Sequence, residues 1–401
     1  MLVIISTHPI QYQVPLWQAI ARDGRVPFEV WYMTHHAATL SRDREFGKDF
    51  AWDIDMLQGY PSRLLPVVAD AAPTSFLGCR FAEPLAPMLA KAGARAVWIQ
   101  GWQVLGYWQA ALHAKRAGCE LWLRGESNNL APIAWWKRPI KRLALGWLFS
   151  RVDRFLCVGE SNARLYRAYR VPDWRLSRAP YAVDNERFRA QAERLRPNRG
   201  RLRSEWGIAD DAFCVLFCGK FVPKKRPFTL VEAANRVGPT AAPLHLLFAG
   251  SGELGDELRR SCQVVFDAEA GGMQRGDAVG PRATFAGFLN QTEISRAYVA
   301  ADCLLLPSDF GETWGLVANE AMASGLPCII SDRCGCAADL GGLAANQVFP
   351  FGNVAAMCQA ISRLQAVENA SEGQFAALQN YAFSLTVESV EKLYSLETAA
   401  S

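Results

Sequence analysis

Two glutamates, Glu312 and Glu320, have the spacing in this sequence that most clearly indicates chemistry. They lie in residues 304–327, a segment whose pattern predicts a strand, a loop and a helix. Gly325 and Pro327 indicate where the helix ends. A helix that starts near residues 313–315 directly after a strand presents N–H groups and a positive dipole end to a phosphate. Two carboxylates would repel that phosphate, so we expect them to accept hydrogen bonds from hydroxyl groups, as sugars supply. The alternative is a capping glutamate and a solvated helix glutamate.

Two cations follow an earlier strand. Gly219 and Lys220 come directly after the apolar run 214–218, and Lys225 follows five residues after Lys220. Cations at a strand end can neutralise a diphosphate leaving group as negative charge develops on it. Lysine is a point charge and lacks the forked geometry of arginine. The alternative is an ordinary solvated loop.

Polar residues also follow the first strand of the chain. His8, Gln11 and Tyr12 stand between that strand and the next helical pattern. They offer hydrogen bonds and one aromatic stacking face, so we predict contact with an acceptor or a sugar. The alternative is a packed helix entry in which His8 only caps the helix.

Two further loops in the first half carry candidate contacts. Gln100 can supply a polar contact and Trp102 can stack on a sugar face. Arg124 and Glu126 follow the next strand, and they pair with each other, bind an acceptor, or do both.

The elements that must position these residues are parallel strands alternating with helices. Apolar, β-branched runs recur with helix-length segments between them, which predicts α/β sheets covered on both faces. The expected strands are residues 2–6, 28–32, 96–100, 120–123, 155–158, 214–218, 244–249, 303–307 and 328–331.

A domain boundary is expected near residues 180–190. Proline and polar residues punctuate 178–184, a very basic stretch follows at 187–203, and a new strand starts at Phe213. We predict two Rossmann-like domains, residues 1–184 and 185–377, that face each other across a cleft. Ligands of such sheets bind beyond the carboxyl ends of the strands.

Composition narrows the functional classes. The chain has 401 residues, 50% of them hydrophobic, and a formal charge of +4. That small charge argues against a broadly basic nucleic-acid binder, so no nucleic acid is expected as a partner. The apolar runs are too short to span a bilayer, and the opening residues read as a strand and not as a signal peptide. The eleven cysteines lack zinc-site spacing and are expected to be free and buried in a cytoplasmic protein.

The glutamate segment resembles the E-x₇-E signature of the retaining glycosyltransferases of family 4. Pro307 and Ser308 ahead of it, and the residues from Glu320 to Pro327 behind it, match as well. The resemblance implies the GT-B fold, with Glu312 binding the hydroxyls of the donor sugar and Glu320 the ribose. It also implies that the amides of the first helical turn hold the diphosphate. The implied donor-site residues are Gly219, Lys220, Lys225, Phe310, Gly311, Glu312, Thr313, Gly315, Leu316, Val317 and Glu320.

Other segments resemble the same family in order and spacing. The stretch from Gly219 to Lys225 is similar to G-R-x-x-x-x-K, with Lys220 where arginine is common. Residues 284–289 resemble a segment near the base, which makes Phe288 and Leu289 weaker candidates. The start is similar to an HPIQY-type bacterial subgroup, as are residues 45–47, 52–53 and 59–60. The C-terminal segment, about 378–401, resembles the helix that packs back on the first domain.

One departure concerns the first domain. Many family members carry a histidine after the strand that corresponds to residues 96–100, where it contacts the donor sugar. This chain has Gln100, Gly101, Trp102 and Gln103 there. The contact with the donor sugar is therefore expected to differ from that of the family, with Gln100 or Gln103 as the polar group.

The resemblance implies an enzyme that transfers a sugar with retention from a nucleoside diphosphate sugar, UDP- or GDP-linked, to a glycan or lipid-linked acceptor. We expect the first domain to bind the acceptor, the second to bind the donor, no bound cofactor and no metal. Bacterial surface polysaccharide or lipopolysaccharide synthesis is the expected setting. A nucleotide-sugar epimerase of the same fold, or a binding protein of weak activity, is the alternative.

A second glycine motif suggests a different activity. Gly250, Gly252 and Gly255 form a G-x-G-x-x-G pattern after a strand, with Asp267 and Glu269 further on. That arrangement is compatible with an NAD-dependent oxidoreductase. It leaves the two-glutamate segment unexplained, so we rank it below the glycosyltransferase.

A basic helix is predicted in the first domain. Trp136, Ile140, Leu143 and Trp147 recur at helical spacing. Beside them stand four cations, Lys137, Arg138, Lys141 and Arg142. The pattern suits an anionic membrane surface on the inner face of the plasma membrane. The alternative is a helix that packs its tryptophan face on the sheet.

Overall fold

A computed structural model describes residues 1–34, 41–43, 48–50, 55–67, 75–237, 242–274, 279–367 and 369–400. The chain divides into two compact units. The first comprises Met1–Ser41, Ile54–Tyr181 and Ala382–Ser401. The second comprises Ala182–Tyr381 with a short segment around residues 48–50.

The first unit contains one parallel sheet and its covering helices. Its elements are β1 (Leu2–Ser6), α1 (Val14–Asp23), β2 (Phe28–Tyr32), β5 (Ser62–Leu64), α2 (Ala86–Lys91), β6 (Ala96–Ile99), α3 (Leu105–Arg116), β7 (Glu120–Arg124), α4 (Lys137–Phe149), β8 (Arg154–Cys157), α5 (Glu160–Ala168) and β9 (Leu176–Arg178). Two short strands, β3 (Ser41–Asp43) and β4 (Lys48–Phe50), lie between β2 and β5 in the chain, and β4 belongs to the second unit. The sheet order is β5-β2-β1-β6-β7-β8-β9, while β3 and β4 form a separate pair.

The second unit repeats this organisation around a larger sheet. Its elements are α6 (Asn185–Leu195), α7 (Arg199–Glu205), β10 (Phe213–Cys218), α8 (Phe228–Arg236), β11 (Leu244–Ala249), α9 (Gly255–Arg260), β12 (Gln263–Asp267), β13 (Gly272–Met273), β14 (Arg282–Gly287), α10 (Ser295–Ala300), β15 (Cys303–Leu306), α11 (Leu316–Ala323), β16 (Cys328–Ser331), α12 (Ala337–Leu340), β17 (Gln347–Phe349), α13 (Val354–Gln365) and α14 (Gln374–Ala377). The strand order is β13-β12-β14-β11-β10-β15-β16-β17.

The last helix, α15 (Phe383–Ala400), belongs to the first unit. Its residues Val387 and Val390 are buried, and Thr386 donates a hydrogen bond to the Pro180 carbonyl at 3.4 Å. Glu391 forms an ion pair with Arg25 at 2.5 Å. The chain therefore returns to its first unit after completing the second.

Each sheet has its own apolar core. Alternate residues of the central strands, such as Val3 and Ile5 or Val215 and Phe217, are buried among helix side chains. Full burial on both faces explains why these strands read as continuous apolar runs. The nine strands expected from the sequence are all present, with ends shifted by at most one residue. The sequence did not reveal the short edge strands β5, β9, β13 and β17, which lack such runs, nor the inner strands β12 and β14 of the second sheet.

Candidate functional site

Two loops meet at the carboxyl edge of the second sheet because β10 and β15 are parallel neighbours. Their register pairs Val215 with Cys303 and Leu216 with Leu304. The loop after β10 therefore lies beside the loop after β15, and the Asp309 amide donates to the Lys224 carbonyl at 3.0 Å. Topology alone brings together two segments that are about ninety residues apart in the sequence.

A lysine and a glutamate pair across these loops. The Nζ atom of Lys225 contacts Oε2 of Glu312, and the Ser308 hydroxyl donates to the same oxygen at 3.2 Å. The two side chains are 19% and 13% exposed. Burial opposes a charge on Lys225, but the carboxylate of Glu312 outweighs it and raises the lysine pKa. The pair is thus a fixed, charged contact in a partly desolvated place.

The second glutamate is held inside the unit. Glu320 is 2% exposed and lies on α11, and the Tyr298 hydroxyl of α10 donates to its Oε2 at 2.5 Å. This partner fixes the direction of the carboxylate. The sequence does not predict the contact between Tyr298 and Glu320, because no pattern near an isolated tyrosine shows which residue of another helix it contacts.

A glycine turn starts the helix that carries Glu320. Gly315 has φ +107°, and a Cβ there would lie 2.7 Å from Cδ2 of Leu306. Only glycine fits both the backbone angle and the space. Helix α11 then begins at Leu316 and ends at Ala323, with Gly325 in the left-handed region. The predicted start and stop of this helix are confirmed.

The remaining predicted donor-site residues follow three strands of this sheet. The Phe310 ring centre lies 5.4 Å from the guanidinium carbon of Arg333. It lies 6.0 Å from the ring centre of Phe351. The loop and first helical turn also carry Gly311, Thr313, Leu316 and Val317, while Gly219 and Lys220 follow the neighbouring strand. Phe288 and Leu289 follow β14, two positions away from β10 in the sheet. Their individual roles stay predictions.

The second glycine motif has a structural explanation. A Cβ at Gly250 would lie 2.0 Å from the Gly219 carbonyl oxygen, and one at Gly252 would lie 2.7 Å from that of Phe221. These glycines let two loops pack backbone against backbone. Asp267 and Glu269 are both bound by Arg259, at 2.6 Å and 2.8 Å. The acidic groups that a dinucleotide ribose would need are thus engaged by an arginine, which argues against the oxidoreductase.

A buried arginine occupies the carboxyl end of β7 in the first unit. Arg124 is 3% exposed, donates to the Pro180 carbonyl at 3.2 Å, and stacks 4.9 Å from the centre of the Tyr181 ring. The Tyr181 hydroxyl donates to Glu126. Burial lowers the pKa of Arg124, and its neighbours Tyr181 and Glu126 oppose that shift. Arg124 and Glu126 are therefore linked through Tyr181, a residue that the sequence reading did not select.

Gln100 is the clearest candidate contact of the first unit. It is 8% exposed, and its Nε2 has no hydrogen-bond partner among the described residues. The Trp102 ring also meets the Phe149 ring in an edge-to-face contact, with centroids 5.5 Å apart. That contact gives Trp102 a part in the core beside any contact with a ligand.

The opening loop is half-buried around His8, Gln11 and Tyr12. His8 Nδ1 lies 2.9 Å from the Thr7 hydroxyl. The cap residue of α1 is Gln13, which makes no side-chain cap bond, so His8 does not cap the helix. Of the other subgroup segments, residues 45–47 and 52–53 lie outside the described part of the chain, while Tyr60 is buried against Tyr32.

All eleven cysteines are free, and nine of them are buried. Burial raises the pKa of thiols such as Cys214, which makes them unreactive. Within the described ranges, no group of three or more His, Cys, Asp or Glu residues is placed to hold a metal ion. None of the described helices combines the length and apolar character needed to cross a membrane.

Comparison with known proteins finds a family match in the second unit. Residues 212–366 match the family described as glycosyl transferases group 1. This segment is therefore similar to a glycosyl transferases group 1 domain. It contains both loops of the edge described above, including Lys225, Glu312 and Glu320. The HPIQY-type opening lies outside the matched residues.

Relatives and solved structures extend the likeness. The D-inositol 3-phosphate glycosyltransferase of Nocardia farcinica is 32% identical over 201 residues, which cover 49% of this chain and 40% of the relative. The chain thus spans about two fifths of that relative's length.

Two solved structures align along the whole chain. HepE of Anabaena, solved with UDP and glucose, gives a TM-score of 0.64 at 15% identity and covers 98% of this chain and 100% of its own. The lipopolysaccharide outer core galactosyltransferase WaaB gives 0.64 at 14% identity, covering 98% and 99%. The chain therefore has the predicted GT-B fold.

Proposed function

We propose that the protein is a retaining glycosyltransferase that uses a nucleoside diphosphate sugar. The observation that carries this proposal is the contact between Lys225 and Glu312 at the edge where Glu320 is also held. A cation, two oriented carboxylates and a helix start are the groups needed to bind a diphosphate and the hydroxyls of two sugars. The domain match over residues 212–366 supports the same reading.

The diphosphate is assigned to Lys225, Lys220 and the first turn of α11. An ammonium group has three donors, so Lys225 can hold Glu312 and still donate to a phosphate oxygen. The first N–H groups of a helix have no partner within the helix and favour an anion. Charge that develops on the leaving diphosphate would be stabilised by these fixed groups.

The hydroxyl groups of the donor are assigned to the two carboxylates. Glu312 is oriented by Lys225 and Ser308 and accepts from the sugar, while Glu320 is oriented by Tyr298 and accepts from the ribose. In this mechanism the leaving phosphate takes the acceptor proton on the same face of the sugar, which retains the anomeric configuration.

The donor and the acceptor are proposed by class. Solved neighbours hold UDP, glucose or UDP-glucose, which favours a UDP-linked donor over a GDP-linked one. The acceptor is assigned to the first unit, at Gln100, Arg124 and Glu126, with His8, Gln11 and Tyr12 nearby in the sequence-predicted set. A glycan or lipid-linked acceptor in bacterial surface polysaccharide or lipopolysaccharide synthesis fits the WaaB neighbour. Such an enzyme would work in the cytoplasm, at the inner face of the membrane.

A nucleotide screen followed by a donor assay tests the proposal. Thermal melting with UDP, GDP, ADP, CMP and NAD should show stabilisation by UDP or GDP. Stabilisation by NAD alone would overturn the assignment in favour of the oxidoreductase. Sugars linked to the stabilising nucleotide are then offered, and release of that nucleotide is followed with water or an added glycan as acceptor.

Glu312→Gln is the decisive variant in that assay. It keeps the size of the side chain but removes the charge paired with Lys225, so nucleotide release should fall about a hundredfold, an effect typical of one transition-state contact. Glu293→Gln, an exposed glutamate before α10, is the matched control and should keep full activity. Full activity in Glu312→Gln would refute the site. If the assay yields epimerised donor and no transferred sugar, the transfer reaction is refuted, while the assignment of the nucleotide site stands.

A further inference from the structure

Large apolar side chains are exposed in the first half of α4 and at the two residues before it. Trp135, Trp136, Ile140 and Leu143 are 80%, 54%, 64% and 77% exposed. The expectation that this tryptophan face packs on the sheet is therefore wrong for most of the stripe. Only Trp147 fits it in part, stacking on Trp108 with centroids 5.9 Å apart. Clustered apolar exposure of this kind marks an interaction surface.

The exposed stripe points away from the core of the first unit. The buried residues of α4 are Leu145, Leu148 and Phe149. Because successive helix residues turn by about 100°, these three lie opposite Trp136, Ile140 and Leu143. The side with Leu145, Leu148 and Phe149 thus anchors the helix on the first unit, and the opposite side is exposed and available to a binding partner.

The charge around the stripe has one sign. Residues 127–152 contain five basic side chains and no aspartate or glutamate. Four of the five, Lys137, Arg138, Lys141 and Arg142, lie in the first half of α4. The Lys137 ammonium lies 4.9 Å from the Trp136 ring centre, where its apolar stem covers the indole. A second copy of this surface would be repelled, whereas an anionic surface with an apolar interior complements it.

We propose that this α4 tip, comprising Trp135, Trp136, Lys137, Arg138, Ile140, Lys141, Arg142 and Leu143, docks the protein on an anionic lipid bilayer. The indole rings lie at the headgroup level, and Ile140 and Leu143 reach the boundary with the acyl chains. The cations bind lipid phosphates, with long stems that let the charges stay in the polar layer.

Docking at this place has a consequence for the acceptor, which rests on the proposed function. Helix α4 is the next helix after β7, whose carboxyl end carries Arg124 and Glu126. Because β7 and β8 are parallel neighbours, the helix between them starts at the edge of the sheet where β7 ends, so the α4 tip and the end of β7 lie at the same edge. A lipid-linked acceptor would then meet the first unit without leaving the membrane. The docking itself does not depend on any transfer reaction.

Vesicle flotation with the full chain tests the docking. Vesicles of equal parts phosphatidylglycerol and phosphatidylcholine are compared with phosphatidylcholine alone, at low and at physiological salt. We expect at least about tenfold more binding to the anionic vesicles, weakened by salt. Equal binding to both kinds of vesicle, or none to either, would overturn the proposal.

Two double variants separate charge from apolar insertion. Lys137→Glu/Arg142→Glu should lower anionic binding about tenfold, whereas Lys91→Glu/Arg116→Glu, with the same change of charge at exposed sites of the same unit, should stay within about twofold. Trp135→Ser/Trp136→Ser should reduce binding that persists at physiological salt. Trp174→Ser, at a tryptophan that is 72% exposed, is its control.

The controls decide the remaining outcomes. Equal losses in the control variants would show a diffuse charge effect and refute the assigned surface. A concentration-dependent dimer of the wild type, abolished by the tryptophan variant without any vesicle binding, would show that a second copy covers the tip. Each variant should keep the wild-type melting temperature and the wild-type stabilisation by UDP or GDP. A change in vesicle binding then reports on docking and not on folding or on the proposed transfer reaction.

Discussion

At the residue scale, the ion pair between Lys225 and Glu312 dominates the candidate site. Each side chain is mostly buried, so each needs the other to offset its lost hydration. The pair also links two separate loops, which means that removing either partner disturbs both binding and local order.

Replacement of Lys225 tests this directly. Lys225→Met should weaken binding of the stabilising nucleoside diphosphate about tenfold to a hundredfold, which is about 1.4–2.8 kcal/mol. Calorimetric titration measures the affinity. Lys224→Met, at the exposed neighbour, should change it by less than about threefold, in line with a weak contribution from exposed charges. Equal effects of the two variants would contradict a specific role for Lys225.

A buried histidine makes stability depend on pH. Burial lowers the pKa of His245 to about 3, and Arg282 and Arg203 add to the shift. The Thr284 hydroxyl gives its proton to the Trp206 carbonyl at 2.6 Å, so it accepts from Nε2 of a neutral His245 at 2.9 Å. Protonation at Nδ1 would keep that hydrogen bond but would add a positive charge in a buried place near Arg282 and Arg203.

The sign of the pH dependence follows. The unfolded chain binds a proton at His245 below its ordinary value of about 6.5, and the folded chain does not until about 3. Stability is thus full above pH 6.5 and is lost as the pH falls towards 3, by on the order of 3 kcal/mol at pH 4. Urea melts of wild type and His245→Gln should show a flatter profile for the variant. Parallel profiles would show that other groups control acid stability.

At the element scale, the loop that carries Glu312 is held by a second loop. The Gly335 amide donates to the Glu312 carbonyl at 3.0 Å, and Cys336 donates to the Trp314 carbonyl at 3.0 Å. A Cβ at Gly335 would lie 1.7 Å from the Thr313 carbonyl oxygen. The approach of backbone to backbone is therefore possible only with glycine at this position.

Gly335→Ala should displace the glutamate loop. We expect a loss of stability of about 1–3 kcal/mol, together with a loss of nucleotide binding, measured by urea melts and titration. Gly342→Ala, where a Cβ would meet no atom within 4 Å, should change stability by less than about 0.5 kcal/mol. Wild-type binding in a folded Gly335→Ala protein would show that the loop position is not set by this contact.

At the scale of the whole molecule, the chain is organised as two units with one exchange of sequence. Helix α15 follows the second unit but packs within the first, through Val387, Val390 and the ion pair of Glu391 with Arg25. Contacts between α15 and both α1 and β9 tie the end of the chain to its beginning. The packing of the first unit is therefore incomplete without α15.

Val390→Asp tests this dependence. An unpaired charge at a fully buried position should destabilise the first unit by about 3 kcal/mol or more. Hydrogen exchange should rise in β1 and β6 while β10 and β11 keep their protection. Leu396→Asp, at a side chain that is 51% exposed on the same helix, should leave all four strands unchanged. Equal loss of protection in both units would show that they unfold as one.

The sequence alone determined most of the central strands of both sheets, because strands buried on both faces read as continuous apolar runs. The GT-B fold was implied by the resemblance of the glutamate segment to a known family. Glu312, Glu320 and Lys225 could be named as candidates because they follow predicted strands closely in the chain, and their roles stay predictions. Only the tertiary structure decided what depends on distant packing. Tyr298 reaches Glu320, Tyr181 links Arg124 to Glu126, Arg259 engages the acids of the second glycine motif, and the α4 stripe faces outward. The physical reason is that helical spacing reports which residues share a face, whereas the neighbours of that face are set by how the sheet brings distant segments together.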